Sequence, residues 1–97
     1  MLSNREKKYL RSKTNKMKAN FQIGKEGITE NQLEAVLDYL EKHELMKITV
    51  LQNCLYDIND LADIFDQNDI EIVQVIGRVI VLYKESVNYK TIDLSHA

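Results

Sequence analysis

The stretch Ile23-Gly24-Lys25-Glu26-Gly27-Ile28-Thr29 joins a short alternating apolar segment to the most regular amphipathic helix that the sequence predicts. Two glycines three positions apart allow a tight turn. The helix that follows offers unpaired backbone N–H groups and the positive end of its dipole, and Lys25 adds a cation. A GxxG loop of this kind grips the nucleotide backbone in one RNA-binding module, but an ordinary strand-to-helix turn also uses glycines in this way.

The charges of the chain divide near this loop. Residues 1 to 25 hold eight basic residues and one acidic residue, a net charge of +7, whereas residues 26 to 97 hold five basic and fourteen acidic residues, a net charge of −9. Such segregation indicates a polyanion that meets one face of the domain, although a charged run can also be a solvated face. The candidate cations of the first segment are Arg5, Lys8, Arg11, Lys13, Lys16, Lys18 and Lys25.

Length and composition predict one domain over residues 1 to 97, since the chain is 44% hydrophobic and has only 97 residues. No apolar run approaches the roughly 20 residues of a membrane span. The polar first residues do not resemble a signal peptide, so we expect a cytoplasmic protein with no membrane partner. Cys54 is the single cysteine, and without a CxxC pair or clustered histidines we expect no metal and no other cofactor.

Capping signals and apolar spacing predict three helices. S/T-x-x-E/Q capping boxes at residues 3 to 6 and 29 to 32 precede helices over about residues 4 to 12 and 30 to 43. Asp57 is the expected N-cap of a third helix, which is acidic on its outer side. The first helix carries a basic stripe.

Alternation and β-branched residues predict four strands, at residues 18 to 23, 45 to 51, 70 to 76 and 79 to 84. Residues 13 to 16 are expected to form a loop and Gly77-Arg78 a two-residue hairpin turn. The last strand is apolar on both faces, which places it inside the sheet. Residues 85 to 97 are expected to be an irregular tail, with Tyr89, Ile92 and Leu94 able to pack on the body.

Sheet geometry decides which other residues lie near the glycine loop. The first strand, the helix and the second strand should form a right-handed βαβ unit with parallel strands. The ends of the first two strands and the hairpin turn then lie at one edge, so Arg78 joins Gly24, Lys25, Glu26 and Gly27. Tyr56 at the same edge could stack on a base or pack its ring on the core.

Three motifs of the chain resemble the CRM domain, and in particular the stand-alone bacterial YhbY-like proteins. The first motif comes after the basic helix, and the acidic helix separates the second motif from the third. The resemblance covers nearly the whole chain up to Tyr83. In chain order, the motifs are the glycine-loop stretch from Ile23 to Thr29, His43-Glu44-Leu45-Met46-Lys47-Ile48, and Val73-Gln74-Val75-Ile76-Gly77-Arg78-Val79-Ile80-Val81-Leu82-Tyr83.

The resemblance implies an α/β fold, a two-layer α-β-α-β-α-β-β domain with a mixed four-stranded sheet in order 1-2-4-3, like the C-terminal domain of translation initiation factor three. It also implies RNA binding: bacterial members are linked to precursors of the large ribosomal subunit, and plant organellar relatives assist intron splicing. Family members often have a neutral or basic residue where Glu26 stands, so this carboxylate lowers the affinity that we expect. The expected function is binding of ribosomal RNA in large-subunit precursors by a monomer.

Two other classes of function compete with RNA binding. A module that docks on a ribosomal protein would use the apolar strands, with the basic residues serving only solubility. An enzyme would need a nucleophile with its base or a metal, and the chain offers only the scattered His43, His96 and Cys54. We therefore expect neither catalysis nor a small-molecule substrate.

Overall fold

The computed structural model describes residues 2 to 96 of the chain, with three α-helices and four strands in the predicted order. The helices are α1 (Asn4–Thr14), α2 (Glu30–His43) and α3 (Ile58–Gln67). The strands are β1 (Phe21–Ile23), β2 (Leu45–Val50), β3 (Glu71–Ile76) and β4 (Val79–Tyr83), and a 3-10 turn (Leu94–His96) follows them.

The strands form one sheet in the order β1-β2-β4-β3, which confirms the predicted order. β1 pairs in parallel with β2, and β4 pairs antiparallel with both β2 and β3. The β3–β4 hairpin closes through Gly77 and Arg78, with Ile76 opposite Val79 and Gly77 at a φ of 56°. The strand that is apolar on both faces is therefore internal, because only a covered strand can bury both sets of side chains.

Helices cover both faces of this sheet. On one face α2 and α3 pack Val36, Leu40, Leu61 and Phe65 against the sheet. On the other face Leu10 of α1 packs with side chains from β2, β3 and β4, including Leu45, Val73, Val81 and Tyr83. We expected two layers, and α1 adds a third because β2 and β4 present apolar side chains on both sides.

The first strand is shorter than predicted. α1 continues to Thr14, two residues beyond the expected end, because the Thr14 hydroxyl bonds the Arg11 carbonyl at 2.8 Å and its side chain is buried. The chain must then pass around the sheet edge, so Ala19 is exposed and pairing with β2 begins only at Phe21. The first half of β2 consequently lacks a strand on this side, apart from the bond from the Asn20 N–H to the Lys47 carbonyl at 2.8 Å.

The C-terminal tail is ordered by a buried carboxylate that the sequence did not reveal. Glu44, with a φ of 64°, follows α2 and is fully buried. Its carboxylate accepts hydrogen bonds from the backbone N–H groups of Thr91 at 2.6 Å, Ile92 at 2.8 Å and Ser86 at 2.9 Å. Ile92 and Leu94 pack on the α1 cluster as expected, but Tyr89 is 56% exposed, so that part of the prediction was wrong.

Glu41, which lies within α2 three residues before Glu44, holds the preceding part of the tail. Its carboxylate accepts bonds at 3.0 Å from the Ser86 hydroxyl and from the backbone N–H groups of Val87 and Asn88. Burial alone would raise the pKa of Glu44, but the bonds from Ser86, Ile92 and Thr91 outweigh it and hold the pKa below its ordinary 4.5. The backbone bonds from Val87 and Asn88 likewise lower the pKa of Glu41.

These two carboxylates should make the protein sensitive to acid. Both have a lower pKa in the folded state, so the unfolded state binds more protons when the pH falls below about 4.5. The contribution of these two carboxylates to the free energy of unfolding should therefore be present above this pH and be lost as the pH falls below it. Urea denaturation of the parent at a series of pH values measures this loss.

Glu44→Gln supplies the matched variant for that measurement. It should be less stable at neutral pH, by about 1 to 3 kcal/mol, because an amide cannot accept all of the buried N–H groups. Its stability should also depend less on pH below about 4.5. The control Asp63→Asn removes an exposed carboxylate of α3 and should keep the parental dependence. If the stability of Glu44→Gln depends on acid pH as that of the parent does, Glu44 does not contribute to the acid sensitivity as described.

Candidate nucleic-acid interface

The glycine loop between β1 and α2 is a tight turn with a charged tip. The Gly27 N–H donates to the Gly24 carbonyl at 3.1 Å, and the side chains of Lys25 and Glu26 are exposed between them. Gly27 has a φ of 71°, whereas Gly24 has no positive φ and open space around it. Only Gly27 therefore has a backbone conformation that favours glycine, although we expected this of both residues.

Tyr56 covers the buried side of this turn. A Cβ placed on Gly27 would lie 2.7 Å from Cδ2 of the Tyr56 ring, so the ring rests directly on the glycine backbone. The side chain is nevertheless 54% exposed, which places it at the surface rather than in the core. The neighbouring Leu55 donates its N–H to the Lys25 carbonyl at 3.3 Å and is 73% exposed. The β2–α3 connection thus forms one wall of the glycine loop.

The loop and the start of α2 offer backbone donors. Within residues 2 to 96, the N–H groups of Lys25 and Glu26 have no protein acceptor. The Thr29 hydroxyl caps α2 by accepting from the Gln32 N–H at 3.1 Å. The predicted capping box is only half formed, because the Gln32 side chain bonds the Gln22 carbonyl at 2.8 Å instead. Uncovered amides, Lys25 and the α2 dipole together can hold an anion.

Arg78 lies at the sheet edge where the topology predicted it. Its Nε donates to the Val50 carbonyl at 2.8 Å, and its Nη2 donates to the carbonyl of Leu51. The Leu51 N–H in turn bonds the Ile23 carbonyl at 2.8 Å, which links the hairpin turn to the start of the glycine loop. Arg78 is exposed, so it adds a positive charge to this edge while it ties the strand ends together.

The basic helix α1 crosses the face of the sheet opposite to α2 and α3, and its two ends lie far apart. It begins near β3, where Glu6 lines a cleft with Asp69 and Glu71. It ends near β2, where the Lys47 Nζ donates to the Thr14 carbonyl at 3.4 Å. About 14 Å of helix separates Arg5 from Thr14.

The predicted cations are therefore only partly brought together. Arg5 is next to Glu6, which lines the acidic cleft beside β3, and it lies at the opposite end of α1 from Thr14. Lys8 and Arg11 follow along the helix, while Lys13, Lys16 and Lys18 lie on the β2 side, from which the chain enters β1.

Most of these cations are open to solvent. Within residues 2 to 96, the basic side chains before residue 26 form no ion pair with a carboxylate, and Lys13 lies 5.1 Å from the Tyr9 ring centroid. Among the later basic residues, Lys90 pairs with Glu85 at 3.0 Å, and Lys47 and Lys84 donate to carbonyl oxygens. The positive charge of the first segment is thus available to a partner.

A cleft between α1 and α2 contains two aromatic side chains that sequence reasoning did not connect. The rings of Tyr39 and His43 are 4.3 Å apart between centroids, with an interplanar angle of 31°. Both line the cleft with Lys13 and Lys16. Their i, i+4 spacing on a helix was the available signal.

Metal-ligand clusters and membrane-spanning helices are both absent from residues 2 to 96. In this range no group of three or more His, Cys, Asp and Glu side chains is placed to hold a metal ion. In the same part of the chain, no helix is long and apolar enough to cross a membrane.

Comparison with known proteins gives consistent matches. Residues 2 to 84 match the model of the CRS1/YhbY (CRM) domain. The Bacillus subtilis (strain 168) protein YqeI is 43% identical over 95 residues, which are 97% of this chain and 99% of YqeI. The solution structure of a hypothetical protein from Staphylococcus aureus has a TM-score of 0.78 and 45% identity, covering 96% of this chain and 98% of that one.

These matches extend over the basic helix, the glycine loop and the whole sheet, and the solved structure agrees in fold along nearly the full chain. The motifs around Gly24, Leu45 and Gly77 lie inside the matched residues. The chain therefore belongs to the CRS1/YhbY (CRM) domain family.

Proposed function

We propose that this protein binds structured RNA through the sheet edge that carries the glycine loop, with the basic α1 segment contributing further phosphate contacts. The observation that carries the proposal is the exposed turn at Lys25 and Glu26, whose amides have no acceptor within residues 2 to 96, beside the N-terminus of α2. Phosphate oxygens are the ligands that such a turn and unpaired lysines prefer.

The relatives support the same activity. YqeI is named a probable RNA-binding protein, and the Staphylococcus aureus protein is described as a candidate RNA-binding protein. From the family resemblance we further propose that the RNA is ribosomal, that it is met in large-subunit precursors in the cytoplasm, and that the protein acts there as a monomer. The proposed activity is binding without catalysis.

The residues proposed to contact RNA fall into two groups. Gly24, Lys25, Glu26, Gly27 and Arg78 form the edge group around the loop. The α1 group supplies cations over a wider surface, and consists of Arg5, Lys8, Arg11, Lys13, Lys16 and Lys18. No set of side chains for reading bases in the grooves is proposed, because RNA helices are recognised mainly by shape and backbone.

Charge at the loop tip should control affinity without affecting the fold. Lys25→Glu should weaken binding of a large-subunit ribosomal RNA fragment several-fold, because a cation becomes a second carboxylate beside Glu26. Glu26→Lys should tighten it. Since both side chains are exposed, the free energy of unfolding should change by less than about 0.5 kcal/mol. Fluorescence anisotropy and thermal melting measure the two quantities.

Asp63→Lys is the matched control for Glu26→Lys, because it also replaces a carboxylate with a cation, at an exposed position of α3, and it should alter affinity much less. For the parent, neutralising about four or five phosphates gives a slope of log K against log salt of roughly −3 to −4.5. Binding that does not depend on salt, or equal effects of the loop and control variants, would favour a protein partner instead.

The two glycines should respond differently to alanine. Gly27→Ala places a Cβ against the Tyr56 ring at a φ of 71°, so it should destabilise the fold by about 1 to 3 kcal/mol and weaken RNA binding. Gly24→Ala meets nothing within 4 Å and should change stability by less than about 0.5 kcal/mol. Equal losses of stability in the two variants, measured by urea denaturation, would show that the turn is not held as described.

The ribosomal part of the proposal has its own test. In a sucrose gradient of a cell lysate at low salt, the protein should sediment with particles that contain large-subunit precursor RNA. Lys25→Glu should shift it toward the top of the gradient. Recovery of the parent only among free proteins would contradict a role in ribosome assembly. It would not contradict RNA binding in general, which the affinity measurements test.

A further inference from the structure

The late start of β1 leaves a cleft beside the uncovered half of β2. Because pairing begins only at Phe21, the edge at Leu45 is flanked by the end of α1 and the end of α2 rather than by a strand. The space between them has a volume of about 520 Å³. This size falls within the range of sites that bind small molecules or single nucleotides.

The α2 side of this cleft is a preformed aromatic surface. Tyr39 and His43 stack on each other, and Tyr39 also contacts Phe21 with ring centroids 5.8 Å apart. Rings already held by their neighbours lose little conformational freedom when another ring is added. Planar aromatic side chains, including histidine, are the groups on which proteins stack unpaired RNA bases.

The α1 side of the cleft is cationic. Lys13 and Lys16 line it, and no acidic residue does so in the part of the chain that the structure describes. The cleft at the other end of α1 is mostly acidic instead, because it is lined by Glu6, Asp69, Glu71 and Glu85 together with Lys84. A ligand that suits the first cleft combines a flat ring with an adjacent negative charge, as a nucleotide does.

The aromatic surface also leads toward the glycine loop. Phe21 opens β1, and Ile23 at the end of that strand is followed directly by Gly24. A single strand of RNA held at the loop can therefore continue past Phe21 to Tyr39 and His43. We propose that this cleft binds an unpaired base of the RNA, stacked on Tyr39 and His43, with its flanking phosphates on Lys13 and Lys16. The inference rests on the proposed function and deepens it.

The test uses the full chain and a single-stranded oligoadenylate of about 12 nucleotides, a length typical of single-strand sites. His43→Ala should weaken binding about fivefold or more without changing the salt slope, because stacking releases no counterions. Lys16→Ala should reduce the magnitude of the slope by about 0.7, the value for one phosphate of a single strand. Lys42→Ala removes a charge from the same end of α2 outside the cleft and should change affinity least.

The ring protons of His43, followed by NMR in the parent, give a readout that needs no folded variant, and they should move upfield when RNA is added. The inference is overturned if the parent binds structured RNA and loses affinity on Lys25→Glu, yet His43→Ala and Lys16→Ala bind the oligonucleotide as Lys42→Ala does. It is equally overturned if the ring protons do not move. Failure of the parent to bind any RNA would remove the proposed function as well.

Discussion

Burial of β4 on both faces is the constraint on which the rest of the structure depends. Ile80 and Leu82 face α2 and α3, while Val81 and Tyr83 face α1, so neither side of the sheet can be left to water. This requirement places the basic helix and the acidic helix on opposite faces. The segregation of charge along the sequence thereby becomes a segregation in space, with most of the cations on the α1 side, the acidic helix α3 on the other side and the glycine loop at one edge of the sheet.

The parts of the fold that sequence predicted are those set by local chemistry. Ser3 and Glu6 form the complete capping box that begins α1, and Asp57 caps α3 through the Asn59 N–H at 2.8 Å. The parts that it missed depend on distant partners. Nothing near Glu44 indicates that its carboxylate will bind backbone groups more than 40 residues later, and a residue in the left-handed conformation at that helix end would ordinarily be glycine.

In the candidate site, too, the sequence predicted some features and missed those that depend on distant contacts. Arg78 could be placed beside the loop because the ends of parallel strands meet at one edge, a matter of topology alone. The unequal demands on Gly24 and Gly27 could not be foreseen, since they follow from the φ of 71° at Gly27 and from how Tyr56 packs against it. The cleft at Tyr39 and His43 exists because β1 starts late, and alternation in the sequence had indicated an earlier start.

RNA held at the glycine loop as proposed would change the surroundings of the backbone amides there, so amide chemical shifts report on this contact directly. In a titration of the labelled full chain with a large-subunit ribosomal RNA fragment, followed by two-dimensional proton–nitrogen NMR, the amides of Lys25, Glu26 and Gly27 should shift first. These shifts should reverse as salt is added, while the amides of α3 stay in place. Shifts confined to α3, with an unperturbed loop, would contradict RNA binding at the glycine loop.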